Sequence, residues 1–199
     1  MTESSSIALF DMDGTLCDYE KGLMDALEEI RAPEESGRFV PYGDNPFHIQ
    51  KRADLIRASG SWWENLPKFQ LGWDVLEVAK ELEFNIMILT QGPRKNSEAW
   101  AGKKRWIDKH LGENTDITIT RDKGLVYGRV LVDDFPGYAD KWLTNRPRGL
   151  VIMPASNYNA NYQNPQVIRY NGTNLGQVTK ALTTARDREE GEPLNLNGI

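Results

Sequence analysis

The chain has 199 residues, 39% of them hydrophobic and 27% charged, enough to bury one good-sized core or one core with a small insertion. Its 24 Lys and Arg against 29 Asp and Glu leave a net charge of -5, which argues against a protein built mainly to coat nucleic acid or an anionic membrane, though not against a local basic site. One cysteine, Cys17, and two histidines rule out an internal disulfide and a zinc site made of Cys and His alone, so a reducing, cytoplasmic setting is expected.

The start, MTESSSIALFDMDGTL, has no basic segment and only a short apolar stretch, Ile7 to Phe10, so no signal peptide is expected there. No apolar run approaches the roughly 18–20 residues that span a bilayer. The run Ile7–Phe10 stops at Asp11 and predicts a buried strand of a parallel sheet. Four further runs predict strands: 85–90, 117–120, 129–133 and 149–153. Residues 167–170 offer a sixth. Helical spacing lies between several of them, with Val75, Leu76, Ala79 and Leu82 sharing one face, and Trp100, Ile107 and Leu111 another. Alternating strands and helices predict an α/β fold with a Rossmann-like open parallel sheet.

Residues 17–72 contain no strand-like run. Leu23, Met24, Leu27 and Ile30 are spaced for one helix, which Pro33 ends. Asn45-Pro46 reads as the start of a second helix reaching Ala58, and Ser61-Trp62-Trp63-Glu64 as a capping box. The expected organisation is an α/β core over residues 1–16 and 73–185, a helical cap over 17–72, and a flexible tail over 186–199, which is charged and then rich in Gly, Pro and Asn.

The residues that could do chemistry sit where predicted strands end. Asp11-Met12-Asp13-Gly14-Thr15-Leu16 places two carboxylates two residues apart after the first strand, and strand carboxyl ends are where open α/β sheets bind ligands. The strand followed by D-x-D-G-T-L resembles the first motif of the haloacid dehalogenase superfamily of phosphohydrolases. The resemblance implies that Asp11 is a nucleophile and Asp13 a general acid/base. The chemistry is coherent: a carboxylate can attack a charge-neutralised phosphorus, and a second carboxylate can protonate the leaving alcohol. A cation is needed between carboxylate and phosphate, and Mg²⁺ suits oxygen ligands. Asp133-Asp134 ends the run 130–132 and matches the superfamily's fourth motif. Asp11, the backbone carbonyl of Asp13, and Asp134 are the expected metal ligands, although spacing alone does not choose between Asp133 and Asp134. Thr90 matches the second motif, with Gln91 supplying a backbone N–H to phosphate.

A cation should complete the phosphate site, and Lys103, Lys104, Arg121 and Lys123 are candidates. Lys103 and Lys104 both flank the stripe of Trp100, Ile107 and Leu111, so helical spacing does not separate them. Thr120-Arg121-Asp122-Lys123, Asp133-Asp134-Phe135-Pro136 and the run 103–112 are similar to the 5'(3')-deoxyribonucleotidase family. That resemblance selects Lys103, three residues before Trp106, and Arg121 as phosphate contacts. It also places aromatic residues around the base, here Trp63 and Phe47, since every base has a π face. The reading is a Mg²⁺-dependent phosphohydrolase of a small phosphorylated metabolite, a (deoxy)nucleoside monophosphate, with no membrane or stable nucleic-acid partner. A phosphatase for a sugar phosphate or a polynucleotide 3'-end, and a non-catalytic nucleotide-binding module, are the rivals.

Overall fold

The computed structural model describes residues 6–35, 38–41, 43–189 and 191–199. Residues 1–5, 36, 37, 42 and 190 lie outside that description, so the first residues of the amino-terminal segment and one residue of the tail are not covered. Among the described residues, no helix is long and apolar enough to cross a membrane. The chain divides into two compact units, 1–16, 69–91 and 115–199 in the first, 17–68 and 92–114 in the second.

The first unit is built on six parallel strands: β1 (Ile7–Phe10), β2 (Asn85–Thr90), β3 (Asp116–Ile119), β4 (Val130–Val132), β5 (Leu150–Pro154) and β6 (Val167–Tyr170). Their order is β3-β2-β1-β4-β5-β6, and every neighbouring pair is parallel. All six expected strands form. They read as unbroken apolar runs because both faces are covered: Leu9, Leu131, Val151 and Met153 pack with Ala139 and Trp142, while the alternate residues Phe10, Val132 and Ile152 are equally inaccessible.

Among the described residues, three α-helices belong to this unit: α4 (Gln70–Glu81), α6 (Pro136–Asn145) and α7 (Leu175–Asp187). Val75, Leu76 and Ala79 of α4 are buried as expected, whereas Leu82 lies just past the helix as its C-cap. Trp142 of α6 is fully buried and donates its Nε1–H to Val126 O at 3.1 Å, which satisfies the one polar atom a buried indole carries. Burying a side chain of that size contributes roughly 1.5–3 kcal/mol.

The second unit holds α1 (Tyr19–Glu29), α2 (Phe47–Ala58), α3 (Gly60–Glu64) and α5 (Ser97–Leu111). Asp18 caps α1, accepting from Lys21 N at 3.0 Å. Leu23 and Leu27 of α1 meet Ile49 and Ala53 of α2 in a small core. The wider face expected for α1 does not form: Met24 is 40% and Ile30 50% exposed, because α1 ends at Glu29 and only two of its rows reach α2. The second helix starts one residue later than expected, with Pro46 rather than Asn45 as N-cap. Asn45 instead folds the preceding loop, accepting from Val40 N at 2.8 Å and donating to Val40 O at 2.9 Å.

The capping box at Ser61 also does not form. The helix begins at Gly60 with Ser59 as N-cap, so Ser61 is already in its first turn. α3 packs closely on α5, and a Cβ at Gly102 would run into the carbonyl oxygen of Gly60. On α5 the inward stripe is Ala99, Gly102, Lys103, Trp106 and Ile107, at the i, i+3, i+4, i+7, i+8 spacing of one helical face. Trp100 is 39% exposed, and its indole N–H reaches back to Pro93 O at 2.9 Å. Lys103 therefore lies within the buried stripe and does not flank it.

Candidate active site

β1 and β4 are neighbours at the point where the strand order reverses, the place where open α/β sheets gather ligands. Asp11 and the Asp133-Asp134 pair leave the carboxyl ends of these two strands. The ladder continues one residue beyond β1, with Asp11 N donating to Val132 O at 2.9 Å. The chain then turns sharply, Leu16 N returning to Met12 O at 2.9 Å. Gly14 makes the turn at φ +74°, and a Cβ there would strike the carboxylate of Asp134. The glycine thus serves twice, for its backbone conformation and for the acid packed on it.

Asp11, Asp133 and Asp134 are all buried, and each offers an oxygen within 4.8 Å of the others. Lys123 is threaded among them. Its Nζ lies 2.7 Å from Asp11 Oδ1 and 2.7 Å from Asp133 Oδ2, with only 2% of the side chain exposed. The Thr120–Lys123 run explains how a lysine gets there. Asp122 N donates to Thr120 Oγ1 at 3.1 Å, and Asp122 Oδ1 accepts from Gly124 N at 3.1 Å, which coils residues 123–125 into one 3-10 turn starting at Lys123. Asp133 spends its other oxygen on Phe135 N at 3.0 Å.

Asp134 is held by hydroxyls. Thr15 donates to Oδ1 at 3.2 Å and Tyr158 donates to Oδ2. The buried Asn159 donates to the Asp134 carbonyl and to Pro154 O, each at 2.9 Å, tying the loop after β5 to the site. Burial, and then the charges of Asp133 and Asp11, raise the Asp134 carboxyl well above its ordinary value. Burial likewise pushes Asp133 up to about 6, although Lys123 opposes the shift. The adjacent Coulomb fields of Asp11 and Asp133 outweigh the burial of Lys123 and hold its ammonium charged. Three acids and one lysine leave the cluster with excess negative charge. An all-oxygen donor set with unbalanced charge fits a hard divalent cation.

Thr90 is fully buried at the end of β2, its carbonyl accepting from Thr120 N at 3.0 Å. The next residue, Gln91, accepts a 2.5 Å hydrogen bond at Oε1 from the Tyr138 hydroxyl. The Tyr138 ring lies under Lys123, Nζ being 4.5 Å from its centroid. Asp13 is partly buried in the turn after β1, and Arg121 is exposed two residues before Lys123.

Lys103, Trp63 and Phe47 belong to the second unit. Lys103 is fully buried, its Nζ 4.9 Å from the Trp63 ring centroid. Trp63 is 4% exposed, packs on Tyr19 and Trp62, and donates Nε1–H to Arg57 O at 2.8 Å. Phe47 is 74% exposed with the Lys51 ammonium 5.2 Å from its ring, so Phe47 and Trp63 stand in different surroundings. Lys104 is on the outer side of α5 and pairs with Asp108.

Sequence reading counted Lys123 among four cations but did not select it. The usable signal was its place at the end of a Thr-Arg-Asp turn, ten residues before Asp133. Tyr138, Tyr158 and Asn159 were missed, because nothing local marks a residue that reaches the site from a loop or helix far along the chain.

An open parallel sheet with an acidic cluster at its switch point fits the haloacid dehalogenase-like hydrolases, and the curated relatives carry the assignment to that class of phosphoric monoester hydrolase. A hydrolase of that superfamily from Xanthomonas campestris has the same fold, with a TM-score of 0.54 at 12% identity over 92% of each chain. No family model matches the chain. The human cytosolic-type 5'(3')-deoxyribonucleotidase is 32% identical over 142 residues, 63% of this chain and 69% of the human one. A Bordetella pertussis protein provisionally given the same enzyme name is 28% identical over 161 residues, 77% and 85% of the two chains. The chain belongs to the 5'(3')-deoxyribonucleotidase family.

Proposed function

We propose that the chain removes phosphate from a (deoxy)nucleoside monophosphate through an aspartyl-phosphate on Asp11. The observation that carries this reading is the buried Asp11–Lys123–Asp133–Asp134 cluster at the sheet's switch point. The names of the relatives support the nucleotide. Mg²⁺ is the proposed cation, held by Asp11, by the Asp13 carbonyl and by Asp134. Asp133 is paired with the Lys123 ammonium, whereas both Asp134 oxygens accept from the neutral hydroxyls of Thr15 and Tyr158, which favours Asp134 as the direct ligand. When bound, the cation neutralises the phosphate so that a carboxylate can approach it.

The protein's own groups do the rest. Asp11 attacks phosphorus, and the ester P–O bond breaks as the P–O bond to Asp11 forms. Asp13 delivers a proton to the leaving alcohol oxygen, then takes one from the water that cleaves the acyl phosphate. Lys123 fixes the Asp11 carboxylate and offsets charge at the transferring group. Thr90, the Gln91 backbone N–H, Arg121 and Lys103 are the proposed phosphate contacts. The helical segment 17–72 is proposed as a cap that selects the substrate.

The test is phosphate release from a panel of nucleoside monophosphates and sugar phosphates, with Mg²⁺ and with EDTA. Metal-dependent turnover strongest on deoxynucleotides is expected. Preference for a sugar phosphate, or turnover in EDTA, would overturn the reading.

A further inference from the structure

A second charged pocket lies at the opposite edge of the sheet. It is lined by Tyr127, Arg129, Arg146, Arg148 and Arg188 and has a volume of about 360 Å³. Arg129 directly precedes β4, and Arg148 and Gly149 directly precede β5, so the pocket opens at the strands' amino ends and the acidic cluster at their carboxyl ends.

Among the described residues, the pocket has no carboxylate in its lining. Among the described residues, none of its four arginines forms an ion pair, although Glu189 and Glu192 follow Arg188 closely in sequence. Four guanidinium groups in one pocket repel each other, and burial together with Arg129 and Arg148 lowers the Arg188 pKa.

Helix capping explains part of the arrangement. Arg129 Nη1 donates to the carbonyls of Ala185, Arg186 and Arg188 at 2.7–3.1 Å, which satisfies the carboxyl end of α7. Arg146 Nη1 donates to Asn145 O at 2.8 Å at the end of α6. Capping does not account for Arg148, whose exposed side chain makes no hydrogen bond among the described residues. Nor does it account for Arg146 Nε, which is inaccessible and has no partner among the described residues. The rest of that guanidinium is accessible, so a ligand in the pocket can reach it.

We propose that this pocket binds the polyphosphate chain of a nucleoside triphosphate. Guanidinium forks suit phosphate oxygens. The Tyr127 ring, 55% exposed and 5.6 Å from the Arg146 guanidinium carbon, offers a face on which a base can stack. The site is separate from the phosphohydrolase centre and needs no metal from it.

The test titrates the full chain carrying Asp11→Asn, in EDTA, with ATP, with inorganic triphosphate and with a single-stranded oligodeoxynucleotide. ATP and triphosphate should bind, ATP more tightly, with affinity falling steeply as salt rises. Arg148→Gln and Arg188→Gln should each weaken both by tenfold or more. Without ligand, Arg148→Gln should melt at or above the parent temperature, because it relieves repulsion. Triphosphate binding untouched by both substitutions, or binding of the oligonucleotide alone, would overturn the proposal. So would a drop of several degrees in the melting temperature of ligand-free Arg148→Gln, which would make that arginine structural.

Discussion

Lys123 Nζ lies 2.7 Å from Asp11 Oδ1, so the carboxylate proposed as nucleophile is also half of a buried ion pair. The same ammonium holds Asp133 at 2.7 Å. Removing one partner from such a cluster leaves buried charge uncompensated, which typically costs about 3–5 kcal/mol. Lys123→Met should therefore lower stability by that order in urea melts and cut turnover by about 10²–10³ or more. Lys123→Arg keeps the charge and separates the two effects: most of the stability should return while activity stays low. Wild-type turnover in the arginine variant would show that the lysine only balances charge.

Asp134 makes the opposite prediction. Its carboxyl is raised by burial and by Asp133 and Asp11, so its charge works against the metal-free fold. Asp134→Asn should raise the melting temperature in EDTA by a few degrees, since about 1 kcal/mol moves a chain of this size by roughly 2–4 °C. Mg²⁺ should stabilise the wild type by linkage and leave the variant unmoved and inactive. A lower melting temperature in EDTA would mean that the bonds from Thr15 and Tyr158 outweigh the repulsion.

The short bond from the Tyr138 hydroxyl to Gln91 Oε1 fixes a carboxamide next to Thr90. Tyr138→Phe keeps the ring beneath Lys123 and frees the amide. KM for the phosphomonoester should rise several-fold with kcat less affected, because the loss is in ground-state positioning. Equal falls in kcat and kcat/KM would place the hydroxyl in the transition state instead.

The strands were legible because a strand buried on both faces must be an unbroken apolar run, and six such runs are present. The acids were legible because they stand directly after those runs. Helix faces were less so. The stripe on α5 reads as Trp100, Ile107 and Leu111 in sequence, yet the buried row includes a glycine and a lysine. Hydrophobicity cannot announce Gly102, which is there for closeness, or Lys103, which is there despite its charge. Tyr158 and Asn159 reach Asp134 from 24 and 25 residues away, through a loop whose path no periodicity describes.

Glu35 anchors the loop between α1 and α2. It accepts from Arg52 Nη1 at 2.5 Å and lies 2.9 Å from His48 Nε2. The Arg52 hydrogen bond is the main cause that pulls its pKa from 4.5 down to about 2. A depressed acid pKa means the unfolded chain binds the proton first, so the contribution is full above 4.5 and fades as pH falls towards 2. Glu35→Gln should destabilise near neutral pH, and the gap from wild type should close on acidification through that window. A gap constant with pH would show that packing, not the ion pair, holds the loop.

Lys103 and Lys104 are adjacent but differ in what they touch. Lys103 is buried against the Trp63 ring, while Lys104 is half-exposed and paired with Asp108. A surface pair of this kind contributes about 0–1 kcal/mol. Lys104→Ala should therefore change neither turnover nor stability appreciably. Lys103→Ala should cut turnover by about 10²–10³ if its ammonium neutralises phosphate, and Lys103→Met should do the same while preserving bulk beside Trp63. The methionine variant decides the matter, because it removes charge without leaving a cavity. Trp63→Phe adds a second check: it keeps an aromatic face beneath Lys103 but loses the hydrogen bond to Arg57 O. That variant should lower stability by about 1 kcal/mol and leave the preference between a nucleotide and p-nitrophenyl phosphate unchanged. Should the preference shift instead, the Trp63 ring contacts the base as well as Lys103.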